Sequence, residues 1–122
     1  MGPTAPQILG QVGERLALEH YERLGFTLLE RNFRTRAGEL DLVVCNERAI
    51  VFVEVKTRRA GGLDPLLAIT PRKVRRLRAL AATWLAAHPD RPRRSELRFD
   101  AVAVVIDADG ELMALEQVEA IG

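Results

Sequence analysis

The chain reads as one mixed α/β domain in the order α-β-β-β-α-β-β, and three observations carry that expectation. Its 122 residues suit one domain with a real core and are too few for two. Two stretches place apolar residues at helical spacing, whereas the others alternate or run apolar as strands do. Glycine, proline and Asx clusters punctuate the junctions between them.

Residues 1–8 are expected as a disordered tail ahead of a single domain over 9–122. From Gly10 to Leu24 a helix is expected, with Val12, Leu16, Ala17, His20, Tyr21 and Leu24 on one face and Gly25 as its stop. Phe26 to Glu30 is strand-like. Thr35 to Gly38 reads as a turn in which Gly38 is free to take positive φ. Leu40–Cys45 and Ile50–Val55 are β-rich runs joined by a turn over Asn46–Ala49. Arg58 to Ala68 reads as a mobile connection. Thr70 then caps a helix with Pro71 at its first position, running to about His88 with Val74, Leu77, Ala81, Trp84, Leu85 and His88 inward. A basic loop over Pro89–Ser95, an apolar strand Phe99–Ile106, a turn at Asp107-Ala108-Asp109-Gly110 and a strand Leu112–Leu115 complete the order.

Composition excludes several classes. Hydrophobic residues make up 48% and charged residues 29%, an ordinary globular balance without a run long enough to span a bilayer. No basic region followed by an apolar stretch opens the chain, and a lone Cys45 excludes a disulfide framework or a cysteine-rich zinc site, so a cytoplasmic location is expected. The net charge of +1 is unevenly spread. Residues 72–98 hold nine basic side chains against Asp90 and Glu96, a net of +7, while the rest carries nine basic and fifteen acidic residues, a net of −6. Such a block suits a polyanion with a cation between it and the acids. A solvated helix face beside a charged loop would give the same composition. However, cations crowding the first turns of the second helix oppose its dipole, so local stability does not account for them.

The informative chemistry lies in the two central strands. Side chains alternate, so Glu39, Asp41, Val43 and Cys45 share one face and Leu40, Leu42 and Val44 the other. In the next strand Val51, Val53 and Val55 line one face, and Ile50, Phe52, Glu54 and Lys56 the opposite one. Adjacent hairpin strands bring Asp41, Glu54 and Lys56 onto one wall, with Glu39 nearby. Burying carboxylates costs several kcal/mol each unless they are paired or bound to metal, and one lysine cannot neutralise the set. A divalent cation would. An ion pair of Lys56 with Glu54 or Asp41 at a strand end is the structural alternative. Lysine usage sharpens the case: among 18 basic residues only Lys56 and Lys73 are lysines. Lysine is a compact charge with a tunable pKa, unlike the always-protonated arginine fork.

Asp41 followed by Glu54-Val55-Lys56 resembles the D…(D/E)xK metal site of restriction-endonuclease-like nucleases. Gly13-Glu14, Asn32-Phe33-Arg34, Gly38-Glu39-Leu40-Asp41, Phe52 through Arg58 and Arg98-Phe99-Asp100, in that order, resemble the bacterial YraN family. The resemblance runs from about Gly10 to Val105. It implies a restriction-endonuclease-like domain, a mixed five-stranded sheet flanked by helices, grouped with Holliday-junction-resolvase-like nucleases. It implies Asp41 and Glu54 as ligands of Mg²⁺ or Mn²⁺, the carbonyl of Val55 as a further ligand, Lys56 as the residue serving the attacking water, and Glu14 as the helix-borne acid of the site. No proline precedes Asp41, where the older form of the signature has one; Gly38-Glu39-Leu40 stands there instead.

The function expected is metal-dependent hydrolysis of phosphodiesters in branched or structured DNA. Arg34, Arg36 and Arg58 near the site would bind flanking phosphates, and Arg72, Lys73, Arg75, Arg76, Arg78, Arg93 and Arg94 the remaining backbone. With 5% aromatics, a stacking reader of single strands is disfavoured. The rival is a non-catalytic nucleic-acid-binding module that keeps the nuclease fold as a scaffold. RNA in place of DNA, and a homodimer, are left open. Cys45, His20, His88 and Trp84 read as core or capping residues. Asp100 divides evenly between a site role and a hydrogen-bonding role, and Asp107–Gly110 reads as a hairpin turn, not a calcium loop.

Overall fold

A computed structural model describes residues 2–64, 66 and 69–122. Pro65, Leu67 and Ala68, part of the connection expected to be mobile, lie outside the described residues. The element order is the one the sequence predicts, and the strands form one mixed five-stranded sheet with helices against it.

The first helix, α1 (Ala5–Arg23), starts earlier than periodicity suggests, so residues 5–8 are helical and not part of a tail. A capping box explains it. Thr4 Oγ1 accepts from Gln7 N at 3.3 Å, and the Gln7 side chain accepts from Thr4 N at 2.8 Å. Those first residues are exposed, so they add nothing to an apolar period, and only the capping pattern marks them.

Strands β1 (Thr27–Thr35) and β2 (Gly38–Cys45) form a hairpin whose turn ends on Gly38 at φ 139°, a conformation that favours glycine. β3 (Ala49–Arg59) is antiparallel to β2; α2 (Pro71–Ala87) crosses over to β4 (Glu96–Ile106), which lies parallel to β3; and β5 (Leu112–Val118) is antiparallel to β4. Only the parallel pair needs a long crossover, and α2 supplies it. No described helix is long and apolar enough to cross a membrane.

The sheet buries both faces. Val51, Val53 and Val55 pack with Leu42, Val44, Val102 and Val104 under Ala17, Leu18 and Tyr21 of α1. Ile50 and Phe52 pack with Val43 and Cys45 under Leu77, Leu80, Ala81 and Trp84 of α2. The alternation expected for β3 therefore holds. In β2 it fails beyond Leu42: Leu40, expected beside Leu42 and Val44, packs in the α2 cluster, while Glu39 and Asp41 reach Glu14 of α1.

The pairing explains this correction. β2 and β3 stay paired only as far as Leu42 opposite Val53, whereas β3 remains paired to β4 up to Arg59 opposite Ile106. At Leu40 β2 is held by β1 alone, opposite Phe33, and is free to turn. The same support from β4 carries β3 beyond Val55, where its apolar pattern ends. β2 and β3 thus part like a fork, and the charged residues occupy the opening.

Candidate active site

Val55 lies past the last β2–β3 pair, so its N–H lacks a backbone partner on β2. The carboxylate of Asp41 takes it, with Oδ2 2.7 Å from the nitrogen. A strand residue's N–H and C=O point to the same edge, so the carbonyl of Val55 also faces the fork. Glu54 and Lys56 flank it on the α2 face, joined by an ion pair of 3.1 Å.

Glu14 arrives from the other helix because of the residue before it. α1 crosses β3 so closely at Gly13 that a Cβ there would lie 1.6 Å from Thr57 Oγ1. Only glycine permits this crossing, and it brings Glu14 to the fork. One carboxylate oxygen each from Glu14, Glu39 and Asp41 lie within 4.8 Å of one another. Asn32, in the left-handed region at φ 54°, turns its amide between two of them. In the orientation that satisfies its neighbours, the Asn32 nitrogen donates to Glu14 Oε1 and Glu39 Oε1, both at 2.9 Å. Arg34 Nε donates to Glu39 Oε2 at 2.9 Å from the exposed rim.

Across the fork lies a cleft of about 310 Å³. Glu39, Asp41 and Glu54 line it together with Lys56, Lys73 and Arg76, and Leu77 and Leu80 of α2 complete the lining. Crowding sets the protonation states. Burial pushes the Asp41 carboxyl up to about 8, Glu54, Glu14 and Glu39 add to it, and the Val55 N–H opposes them only in part. Glu14 is also raised, by burial and then by Glu39. Burial pulls Lys56 down, but Glu54 outweighs it and leaves Lys56 above its ordinary value. Lys73 is lowered, by burial and then by Lys56 beside it.

The structure brings Asp41, Glu54, Lys56, Val55 and Glu14 together at one fork. It also makes Glu39 and Asn32 central, which strand alternation places only nearby or not at all. The strand expected over Phe26–Glu30 runs to Thr35 in the structure and so takes in Asn32, a residue type that tolerates positive φ.

The basic residues divide. Lys73 and Arg76 line the cleft, Arg34 stands at its rim, and Arg36 is exposed in the β1–β2 turn. Arg58 follows Thr57 with its Nε buried and without a hydrogen-bond partner. Arg72 is exposed in the first turn of α2. Arg75 and Arg78 face a different cavity, with Ile69, Val74 and Ile121. Arg94 donates to the carbonyl of Asn46 in the β2–β3 turn, with exposed Arg93 beside it, at the opposite end of β3 from the fork.

The residues read as core occupy the core. Trp84 is 2% exposed, and Cys45 is buried under α2. His88 stacks on Trp84 and bonds its carbonyl at 2.8 Å, and His20 bonds Gln117 at 2.7 Å. Asp100 has a hydrogen-bonding role: it is fully buried and holds Arg98, Tyr21, Gln117 and the Ala120 N–H. Asp107 Oδ1 accepts from the N–H groups of Asp109 and Glu111, closing the β4–β5 turn.

The family model described as Uncharacterised protein family UPF0102 matches residues 13–104. That span opens on the glycine of the helix crossing and contains every cleft residue. A UPF0102 protein of Clavibacter michiganensis is 47% identical over 109 residues, covering 88% of this chain and 91% of the relative. One from Mycobacterium avium is 50% identical over 99 residues, covering 79% and 76%. A third, from Acidothermus cellulolyticus, is 45% identical over 111 residues and covers 84% of each. Matched over most of its length by both the family model and these relatives, the chain belongs to the UPF0102 family, the YraN-type family its motifs resemble.

Proposed function

We propose that the protein is a metal-dependent nuclease of restriction-endonuclease-like fold, hydrolysing phosphodiester bonds in branched or structured DNA. The observation that supports this reading most is the meeting of Asp41, Glu54, Glu14 and Glu39 beside Lys56, with the Asp41 carboxyl held up to about 8. Crowded, half-buried acids cost the fold stability unless a cation joins them.

The donor set consists of hard oxygens, the ligands Mg²⁺ and Mn²⁺ prefer, so the residues present fit the ion. Asp41 and Glu54, with the Val55 carbonyl, would hold it, and Glu14 and Glu39 are close enough to Asp41 to share in doing so. When bound, such an ion supplies Lewis acidity toward the phosphate and lowers the pKa of water. The protein's own groups do the positioning. Lys56, steadied by Glu54, orients the attacking water, while Arg34 and Arg76 flank the cleft where backbone phosphates would lie. In the hydrolysis, hydroxide from water ends on phosphorus and its proton on the leaving oxygen.

The test is cleavage of duplex, flap, splayed and four-way DNA with Mg²⁺ or Mn²⁺, using Asp41→Asn as the inactive control. Lys56→Arg keeps the charge but widens it into a planar fork, and a displacement of about 1 Å costs on the order of a hundredfold in rate. A folded Lys56→Arg protein that binds metal and DNA but cleaves about a hundredfold more slowly is expected. Native turnover by that variant would remove Lys56 from the chemistry. Absence of metal-dependent cleavage by the native protein on every substrate would leave a non-catalytic nucleic-acid-binding module.

A further inference from the structure

Only two of the chain's 18 basic residues are lysines, and they come from different elements, Lys56 from β3 and Lys73 from the first turn of α2. The fold brings both to the same cleft, which has three basic residues in its lining. Random placement among so many arginines would rarely do this.

Their circumstances differ. Lys56 has a carboxylate partner, Glu54 at 3.1 Å. Lys73 makes no ion pair among the described residues, although it is half-buried and borne on a flexible stem that could reach open water. It also stands at a helix N-terminus, whose exposed N–H groups repel cations and attract anions. The first turn of α2 contains no acidic residue to compensate it. Three features oppose an ammonium here: burial, the helix terminus and a second lysine. All three favour an oxyanion in the space between the lysines. The cleft has room for one: its volume equals the liquid share of about ten waters.

We infer that Lys73 is a substrate-contacting residue, which with Lys56 clamps a phosphate oxyanion in the cleft. The inference rests on the phosphodiester reading above and deepens it by assigning the group that grips the reacting phosphate. Arg76, one turn further along α2, lies beside the clamp, and the N-terminal end of α2 closes it. Lys73 brings to the acids of the cleft a charge from a separate element.

Because the chain has two lysines, lysine-selective ¹³C labelling gives one ε-methylene signal for each. Titrating the full chain with inorganic phosphate at constant Mg²⁺ should move both signals along one saturation curve. Followed on the Lys56 signal, Lys73→Gln should weaken phosphate binding about tenfold, the loss of one charge-assisted hydrogen bond. Arg48→Gln, which removes an exposed charge at the β2–β3 turn, should leave it within about twofold. Both variants should melt as the native protein does, since neither residue belongs to the core. A Lys73 signal that stays still at saturation, native phosphate affinity in Lys73→Gln, or no phosphate binding by the native protein would each overturn the clamp. Cleavage of DNA with a silent Lys73 would remove the clamp and keep the nuclease. A moving Lys73 without cleavage would keep the phosphate site and remove the nuclease.

Discussion

Asp41 and Asp100 are both aspartates set in the strands of one sheet, and they live opposite lives. Asp100 is fully buried on β4, yet every lone pair has a donor. Arg98 grips it through Nε at 2.9 Å and Nη2 at 3.0 Å, Tyr21 donates at 2.7 Å, Gln117 at 3.1 Å and the Ala120 N–H at 3.2 Å. The arrangement raises Arg98 above its ordinary value through its hydrogen bond to Asp100, and raises the Tyr21 hydroxyl through burial and the Asp100 charge. Asp41 has one donor, the Val55 N–H, and is crowded by Glu54, Glu14 and Glu39. A buried carboxylate with a full set of donors ties the chain together. One crowded by other carboxylates costs the fold stability when ionised, which is the ground for proposing a cation there.

The largest effect expected from this contrast is at Asp100. Asp100→Ala leaves the Arg98 guanidinium uncompensated and frees the chain around Ala120, and breaking such a pair costs about 3–5 kcal/mol. Urea denaturation measures it. A loss under about 1 kcal/mol would mean that Arg98 finds Glu119, now 3.9 Å away, as a substitute.

A smaller loss is expected at the helix crossing that delivers Glu14. Gly13→Ala drives a methyl into Thr57, and overpacking of this kind costs about 1–3 kcal/mol. Because Glu14 moves with the helix, calorimetry should also show weaker Mn²⁺ binding. Native affinity in a destabilised Gly13→Ala protein would assign Glu14 to the surroundings of the site, not to its ligands.

The third effect has the opposite sign. Asp41 holds its proton up to about 8 in the folded chain but loses it near 3.8 when unfolded. The folded state therefore binds more protons across that window, and metal-free stability falls as pH rises through it. Asp41→Asn carries no charge to bury. It should melt higher than the native protein at pH 8 without metal, with a flatter dependence of Tm on pH. Adding Mn²⁺ should raise the native Tm and leave that of Asp41→Asn nearly unchanged. A native protein whose metal-free stability rises between pH 5 and 8 would contradict the crowding at the fork.

These two aspartates also mark how far the sequence is readable. Period-two alternation places Asp41, Glu54 and Lys56 on one wall, because strand geometry is local. It misplaces Leu40, because the turn of β2 there follows from the loss of its β3 partner, an event at another strand. The helix start at Thr4 was missed, because no apolar period reaches it and only the spacing of Thr4 and Gln7 marks it. Asp100 was ambiguous because its donors come from α1, its own strand, β5 and the C-terminal segment, up to 79 residues away.

By itself, then, the sequence determined the order of elements, the faces of β3 and the residue types gathered at the candidate site, since periodicity, capping and turn chemistry act over a few residues. Only the tertiary structure decided where β2 and β3 part, that Gly13 brings Glu14 to that opening, and that Lys73 meets Lys56 across it. Those outcomes depend on contacts between distant segments, where burial and charge are set by whichever neighbours the packing brings.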